Sequence, residues 1–359
     1  MTVTSQVTVT YIKNAMKTYL SSNRASLVTL LLLILLPFIV GLFDGASPAT
    51  VFVNGSGQSK FIQGLAIEIF ILAIYAISFD LIFGITGMLS FGHSLFYGVG
   101  AYMTGIAIKS FGLPLLPTFG LVLVAAVVQA ILFALVLPRV KGITFALVTL
   151  GLGSVFHILV MSSEFGPYTG ADVGLQGVIV PAFISPANER LRFYFIMLAV
   201  MVLVYLTYQR FVTSPTGRVC VAIRENEGRA RMLGYNTFYF KFAALLLSSF
   251  TAALAGFFHT LYQPIVSPNV AGMGFTVTAL LIVLIGGVGT LNGAFVGALI
   301  YRLLDYGLRR YIGESASFIN GAIYVLFVLF IPYGIVGTWR LKSLQIKQGW
   351  GRLLGMFSR

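Results

Sequence analysis

Four ionisable residues lie within or at the ends of long apolar stretches, namely Glu68, Asp80, Arg302 and Asp305. Charged side chains at membrane depth usually pair with one another or line the path of an ion or polar solute. Asp305 stands three residues after Arg302 and four before Arg309, so these residues are expected to form ion pairs on one helix face. Glu68 has no such neighbour in sequence, which leaves a role as a proton relay open for its carboxylate.

Two glycine-rich segments interrupt the apolar sequence, Gly84–His93 (GITGMLSFGH) and Ile285–Gly293 (IGGVGTLNG). Irregular backbone is tolerated at membrane depth only where it is buried in protein or lines a cavity, so such segments point to a transport path. The same glycines could simply let helices approach closely, and this interpretation is favoured for Gly293 with Gly297. The candidate path residues are Glu68, Thr86, Ser90, His93, Phe145, Thr149, Gly287, Thr290 and Asn292.

A densely charged segment, Gly217–Asn236 (GRVCVAIRENEGRARMLGYN), separates two long apolar regions. Val219 and Ile223 are four residues apart and would share one face of a short helix. Gly234 and Asn236 tolerate the left-handed conformation that ends helices, so the helix is expected to stop there. Such a helix is either held by a soluble partner or is a solvated loop that orients the neighbouring spans.

The sequence lacks the motifs of common enzymes and cofactor sites. The three histidines are scattered without metal-ligand spacing, so no metal site is predicted. No phosphate-binding G-x-x-x-x-G-K-[ST] motif or dinucleotide fingerprint occurs, so the chain is not expected to hydrolyse ATP or to hold a cofactor. The single cysteine, Cys220, is interpreted as a small packing residue. The chain is therefore predicted not to be an enzyme.

The composition predicts an all-α polytopic membrane protein. Of the 359 residues, 58% are hydrophobic and 9% charged, whereas a soluble domain carries about 25% charged residues. A helical span needs about 20 apolar residues, and the pattern predicts ten spans, or eight to ten with broken or re-entrant segments. The predicted spans are 25–43, 61–83, 90–109, 115–137, 143–163, 193–211, 242–262, 273–286, 291–306 and 316–337.

The distribution of basic residues predicts the orientation of the chain in the cell membrane. Of its 23 lysines and arginines, 16 fall on the side that holds both termini, the turn at 138–142 and the charged loop, and basic segments remain in the cytoplasm. The predicted parts are a cytoplasmic segment 1–24, a transmembrane domain 25–339 with the charged loop at 212–240, and a cytoplasmic tail 340–359. The net charge of +13 indicates contact with anionic lipid rather than nucleic acid.

Four patches together resemble the permease subunits of branched-chain amino-acid ABC importers. They are Gly84–Tyr102 (GITGMLSFGHSLFYGVGAY), Lys141–Gly151 (KGITFALVTLG), Gly217–Asn236 and Ile285–Ala298 (IGGVGTLNGAFVGA). Their combination and order are far more specific than any single motif. Within the pair of permeases that such importers contain, the sequence looks like the longer, M-type subunit.

The sequence departs from the family pattern at several positions. In Thr169–Leu175 the aspartate, Asp172, comes one residue earlier than in the usual TGGxDGL, and Asp80 stands where an asparagine is typical. Cys220 and Val221 replace a more usual Leu-Arg, which removes a charge from the charged helix. These departures leave the identity of the solute open.

The resemblance implies that the charged helix docks in a groove of a separate cytoplasmic ABC ATPase subunit. It also implies a second permease subunit, giving a heterodimer, and an extracytoplasmic solute-binding protein. Val219 and Ile223 would fill the groove while Arg224 and other charged neighbours pair at its rim. The implied ATPase-coupling residues are Gly217, Arg218, Val219, Ala222, Ile223, Arg224, Glu225, Glu227, Arg231, Leu233 and Gly234.

Other functions remain open beside an importer of branched-chain or similar small amphipathic amino acids. An ABC permease for urea or short amides has the same general plan. A secondary transporter driven by protons would use Glu68 and Asp80 and would stop working in the presence of an uncoupler. A membrane scaffold or channel would need no ATPase partner.

Overall fold

The computed structural model describes residues 24–45, 57–331 and 333–339, and most of these are helical. The chain divides into two compact units, residues 1–64 and residues 65–359. Nearly all of the predicted cytoplasmic segment 1–24 and the whole of the predicted tail 340–359 lie outside the described residues.

In the first unit, helix α1 spans Arg24–Phe43 and helix α2 begins at Gln58. The carboxylate of Asp44 accepts a hydrogen bond from the backbone N–H of Gln58 at 2.8 Å, which satisfies one of the free donors at the start of α2. The hydroxyl of Ser59 donates to the carbonyl of Pro37 at 2.8 Å. These two bonds connect α1 to the first turn of α2.

In the second unit, α2 ends at Asp80 and is followed by one wider turn of π-helix, Leu81–Ile85. The helices that follow are α3 (Ser94–Lys109), α4 (Leu115–Ala134), α5 (Ile143–Met161), α6 (Gly166–Thr169), α7 (Arg190–Thr213), α8 (Pro215–Met232), α9 (Thr237–Tyr262), α10 (Met273–Gly286), α11 (Leu291–Ile312) and α12 (Ala316–Phe330). Short 3₁₀ turns lie at Ala171–Val173, Ala182–Ile184, Pro268–Ala271 and Gly313–Ser315. Strands β1 (Leu175–Gln176) and β2 (Ile265–Val266) pair antiparallel.

Helix α9 lies at the centre of the second unit and packs against α3 and α4. Close approach of α9 to α3 depends on glycines. A Cβ at Gly100 would overlap the backbone of Ala253, and one at Gly256 would overlap the carbonyl of Tyr97. Small residues at a helix interface let two backbones approach closely, which is how helices associate in a membrane.

Within the part of the chain that the structure describes, six helical segments are long and apolar enough to cross a membrane: Gln58–Ile85, Leu115–Ala134, Ile143–Met161, Arg190–Thr213, Thr237–Tyr262 and Phe318–Trp339. Helices α10 and α11 are bent by 112° at a short break and count together as a seventh candidate. Broken segments were expected, and this is one of them.

The prediction of ten spans is not confirmed, although each predicted span overlaps a helix among the described residues. Helix α3 has 16 residues, and α10 has 14. At 1.5 Å per residue these helices are roughly 24 and 21 Å long, shorter than a hydrocarbon core of about 30 Å. An uncharged run in the sequence shows that a segment is apolar, but it does not give the length of the helix.

Candidate functional site

The end of α2 is connected to the second glycine segment by a buried carboxylate. Asp80 is 1% exposed, and its Oδ1 accepts a hydrogen bond from the backbone N–H of Gly289 at 2.7 Å. Gly289 has a positive φ of 71°, a conformation that glycine adopts without strain. The end of α2 and the second glycine segment therefore meet in space.

Gly84 occupies the point of contact. A Cβ at this position would overlap the Asp80 carboxylate and the backbone nitrogen of Gly289, so no side chain fits. The carbonyl of Gly84 accepts a hydrogen bond from the guanidinium of Arg224 in α8. Asp80, Gly84, Arg224 and Gly289 are called the glycine junction below, and they join α2, the α10–α11 break and the charged helix.

Helix α8 is the charged helix expected from the sequence. The Ser214 hydroxyl caps its start by accepting from Gly217 N–H at 3.2 Å, and Pro215 is its first residue. The helix is kinked at Asn226 (φ −162°, ψ 101°), whose side-chain oxygen accepts from Arg229 N–H at 2.9 Å. A second cap of this kind restarts the helix after the kink.

The end of α8 agrees with the expected stop signal. The helix ends at Met232, and Gly234 follows with a φ of +88°. The side chain of Asn236 then accepts a hydrogen bond from Phe238 N–H at 3.2 Å, which caps α9. Glycine and asparagine therefore stop one helix and start the next within a few residues.

The groove-filling role expected for Ile223 needs correction. Ile223 is 4% exposed because its side chain is buried against its own chain. Val219 on the same face is only partly exposed. Spacing in the sequence shows which residues share a helix face, but it does not show which other segment of the chain covers that face.

The expected pairing of charges at a partner's rim also needs correction, because several of these charges are already paired within the chain. Glu227 binds Arg231 at 2.6 Å and Lys241 of α9 at 2.8 Å, and it accepts from the Thr237 hydroxyl at 3.0 Å. Arg224 pairs with Glu225 at 2.8 Å in addition to its bond in the glycine junction. These contacts fix α8 on α9 and on the core.

Burial and neighbouring charges have opposite effects on the pKa of the Glu227 carboxyl. Burial alone would raise its pKa, but the hydrogen bond and charge of Lys241, with Thr237 and Arg231, lower the pKa below its usual value. In the same helix, burial raises the pKa of the Cys220 thiol to about 11. A neutral, buried thiol agrees with the interpretation of Cys220 as a packing residue.

The other side of α8 and the turn after it are open to solvent and combine charges with large apolar side chains. Met232 is 90% exposed, Leu233 72% and Tyr239 65%. The α8 exposed face is defined here as Arg218, Ala222, Glu225, Arg229, Met232, Leu233, Tyr235 and Tyr239. Of the predicted coupling residues, Gly217 is buried while Arg218, Ala222, Leu233 and Gly234 are exposed.

The predicted path residues do not line one common cavity. Thr86 and Phe145 both line a small cavity of about 90 Å³ next to Arg224. Gly287 has a φ of 122° and its carbonyl accepts a hydrogen bond from the Thr290 hydroxyl at 2.5 Å. Thr86 and Phe145 therefore lie next to Arg224 of the glycine junction, and Gly287 and Thr290 lie on either side of Gly289 in the chain.

Ser90, His93 and Thr149 are buried inside the helix packing. His93 Nε2 lies 2.8 Å from the Ser78 hydroxyl, and a Cβ at Gly92 would overlap the Thr149 carbonyl. Asn292 instead accepts a hydrogen bond from the Tyr205 hydroxyl at 2.7 Å.

Glu68 lies in a separate cluster of charges. Its carboxylate pairs with Arg302, 234 residues later in the chain, and it accepts from the Gln263 amide at 3.2 Å. Arg302 also binds Asp305 at 2.9 Å, and Asp305 binds Arg309 at 2.8 Å. Both expected ion pairs of Asp305 are confirmed. Glu68, Arg302, Asp305 and Arg309 are called the Glu68 cluster below.

Several residues next to the Glu68 cluster were not predicted from the sequence. Tyr97, Phe275 and Tyr301 line a cavity together with Glu68 and Arg302. A signal was available, because a carboxylate at membrane depth needs a cation and Arg302 was a candidate. Among the described residues no group of three or more His, Cys, Asp and Glu is placed to hold a metal ion.

Comparison with known proteins places this arrangement in a family. Residues 61–331 match the family model of the branched-chain amino acid transport system permease component. The LivM permease protein of the high-affinity branched-chain amino acid transport system of Salmonella typhimurium is 28% identical over 309 residues, which cover 78% of this chain and 70% of that protein. No solved structure matches the chain.

Two other similar proteins are also branched-chain amino acid transport permeases. The probable branched-chain amino acid permease LivM of Methanocaldococcus jannaschii is 25% identical over 309 residues, covering 73% of this chain and 89% of that protein. The LivH permease of Escherichia coli K12 is 24% identical over 288 residues, covering 74% and 91%. The family match spans both glycine segments, α8 and the Glu68 cluster. The chain therefore belongs to the branched-chain amino-acid ABC permeases, which are membrane transport subunits and not enzymes.

Proposed function

We propose that this chain forms half of the translocation path of an ABC importer for branched-chain amino acids and that α8 couples it to a separate ATPase subunit. The observation that carries this proposal is the two-sided nature of α8. Its exposed face is free for a partner, while Arg224 on the same helix bonds to the glycine junction.

The exposed face fits a protein groove. Met232, Leu233 and Tyr239 supply apolar and aromatic anchors, and Arg218 and Arg229 lie beside them as solvent-exposed charges. Interfaces of this kind depend on a few large side chains that fill pockets, with charges at the rim. The anchors of the proposed contact are therefore Met232 and Leu233 instead of Val219 and Ile223.

Movement of α8 would be transmitted to the core by short connections. Only Ser214 separates α8 from α7, and four residues separate it from α9. Lys241 at the start of α9 is also paired with Glu227. When the ATPase subunits close, α7, α9 and the glycine junction would move with α8 and expose the path alternately to each side of the membrane.

The orientation and the other partners complete the proposal. The basic-residue distribution supports a cytoplasmic position for α8 and for both termini, which requires an even number of crossings. Only 28% of the residues in the apolar stretch of α4, and the same share in α5, are buried. The exposed sides of these helices are therefore free for lipid or for a second permease subunit. A solute-binding protein would deliver the substrate from outside the cell.

A transporter driven only by protons is less well supported. It would use Glu68 and Asp80, but Glu68 is paired with Arg302 and Asp80 is bonded to the Gly289 backbone. Neither carboxylate is a free relay group in this conformation.

The test of coupling is the double variant Met232→Ser with Leu233→Ser in the assembled importer. We expect the ATPase subunit to be lost on purification and uptake of leucine to fall at least about tenfold, as is usual when central anchors of an interface are removed. The matched control is Val173→Ser with Ile179→Ser, two residues that are 72% and 81% exposed between α6 and α7. Unchanged uptake in the α8 variant would refute the proposed contact.

A further inference from the structure

A cavity of about 240 Å³ opens beside the Glu68 cluster. Its lining combines charged groups with aliphatic and aromatic side chains. A water molecule in the liquid takes about 30 Å³, so the cavity has room for a molecule of roughly eight non-hydrogen atoms. Ligand sites in proteins are typically concave and lined by apolar and aromatic side chains with a few polar groups that orient the ligand.

The charged side of the cavity retains unused capacity for hydrogen bonds. Arg302 uses Nε and Nη2 toward Glu68 and Nη1 toward Asp305, but a guanidinium carries five N–H groups. Two N–H groups therefore remain for a ligand carboxylate. On Glu68, Oε1 accepts one hydrogen bond, from Gln263 at 3.2 Å, and the same oxygen can accept another from a ligand ammonium group.

The apolar side lies one helical turn away. Ile71 and Leu72 follow Glu68 by three and four residues on α2, so the carboxylate and the two aliphatic side chains share one face of the helix. Phe275 of α10 also lines the cavity. Neighbours at this spacing are separated by about 5–6 Å between Cβ atoms, a distance that the backbone and side chain of one small amino acid can bridge.

We propose that this cavity is a selective subsite for an aliphatic amino-acid zwitterion. The ammonium group would bind Glu68, the carboxylate would bind Arg302, and the branched side chain would lie against Leu72 and Phe275. This inference rests on the proposed function, because it assigns a substrate-contacting site to the same transport path.

The test measures selectivity in the complete importer in proteoliposomes, with its ATPase, partner permease and binding protein. Each solute is supplied with saturating loaded binding protein, so that the turnover number reports the permease step. Leu72→Ala enlarges the apolar side, and we expect the preference for leucine over phenylalanine to fall about tenfold, the low end of what one pocket contact contributes. Leu303→Ala is the control, since Leu303 is 46% exposed on α11.

A second pair of variants tests the charged side. Arg302→Lys loses the planar donor group that a carboxylate prefers. We therefore expect the turnover number for every amino acid to fall about tenfold. The control is Arg310→Lys, on the exposed side of α11, which should change the turnover number little. If Arg302→Lys does not assemble, Leu72→Ala carries the test alone. An unchanged leucine-to-phenylalanine ratio in Leu72→Ala would refute the subsite while leaving the proposed function intact. Absence of leucine transport by the unmodified importer would refute the proposed function itself.

Discussion

The glycine junction and the Glu68 cluster are joined by the same two helical elements but are built differently. Asp80 and Glu68 both belong to α2, twelve residues apart, or roughly 18 Å along the helix. Gly289 lies at the break before α11 and Arg302 lies within α11. At the junction the carboxylate binds a backbone N–H, whereas in the cluster it binds a cationic side chain.

This difference indicates two different tasks. A carboxylate bonded to fixed backbone, with no space for a Cβ at Gly84, forms a rigid connection. A carboxylate paired with an arginine beside a cavity keeps hydrogen-bonding capacity for a ligand. Helix α2 would thus carry movement at its Asp80 end and contact the solute near its middle, at Glu68.

The largest effect is expected from filling the glycine junction. In Gly84→Ala the new methyl group meets Asp80 and the Gly289 backbone, and we expect a loss of about 3 kcal/mol of stability, the upper end for overpacking. The apparent Tm of the purified protein measures this loss. Gly120→Ala in α4, where nothing lies within 4 Å, should instead be neutral or stabilising by about 0.5–1 kcal/mol. Equal Tm values for the two variants would show that the junction is not tightly packed.

The next largest effect is expected from substitutions of Asp80 and Glu68, which should act on stability and on transport respectively. Asp80→Ala leaves the partly buried Gly289 N–H without its acceptor, which costs about 1 kcal/mol or more, whereas Asp80→Asn keeps an acceptor oxygen and should be milder. Glu68→Gln lies beside the cavity and should reduce turnover more than stability. Tm and leucine uptake, measured on all three variants, check the comparison. A larger loss of Tm in Glu68→Gln than in Asp80→Ala would contradict it.

A smaller effect is expected from cutting the link between α8 and the junction. Arg224→Ala removes the bond to the Gly84 carbonyl, so we expect the ATPase to remain bound while uptake per ATP hydrolysed falls about tenfold, equivalent to about 1.4 kcal/mol. Arg310→Ala, an exposed arginine of α11, is the control, because it belongs neither to the junction nor to the α8 exposed face. Co-purification and coupled hydrolysis assays distinguish the two. Full coupling in Arg224→Ala would exclude transmission through this bond.

The smallest effect is the pH dependence of the contact between α8 and α9. The pKa of Glu227 is lowered in the folded state, so its contribution is present above the unfolded value near 4.5 and is lost as the pH falls through the lower folded value. A partly exposed pair of this kind contributes up to about 1 kcal/mol. Tm measured from pH 7 to pH 3 should fall more steeply in the unmodified chain than in Glu227→Gln. Parallel curves would show that Glu227 does not contribute.

Features with a local signal were predictable from the sequence. The bounds of α10 and the stop at Gly234 depend on glycines at helix ends, and the pairs of Asp305 depend on spacing within one helix. The two glycine segments were also recognised as places where regular helix would be interrupted.

Features that depend on distant parts of the chain were not predictable. The pair of Glu68 with Arg302 joins residues 234 positions apart, and burial of Ile223 depends on neighbours outside α8. The kink at Asn226 has no proline or glycine at that position to signal it. Local spacing determines which side chains share a face, whereas tertiary packing determines what each face contacts.

The central claim is that the α8 exposed face receives the ATPase subunit. A photoreactive phenylalanine analogue at position 232, where Met232 is 90% exposed, should form a crosslink to the ATPase in membranes of cells that contain the whole importer. The same analogue at position 179, where Ile179 is 81% exposed, should form none. A crosslink from position 179 alone, or from neither position, would contradict the account.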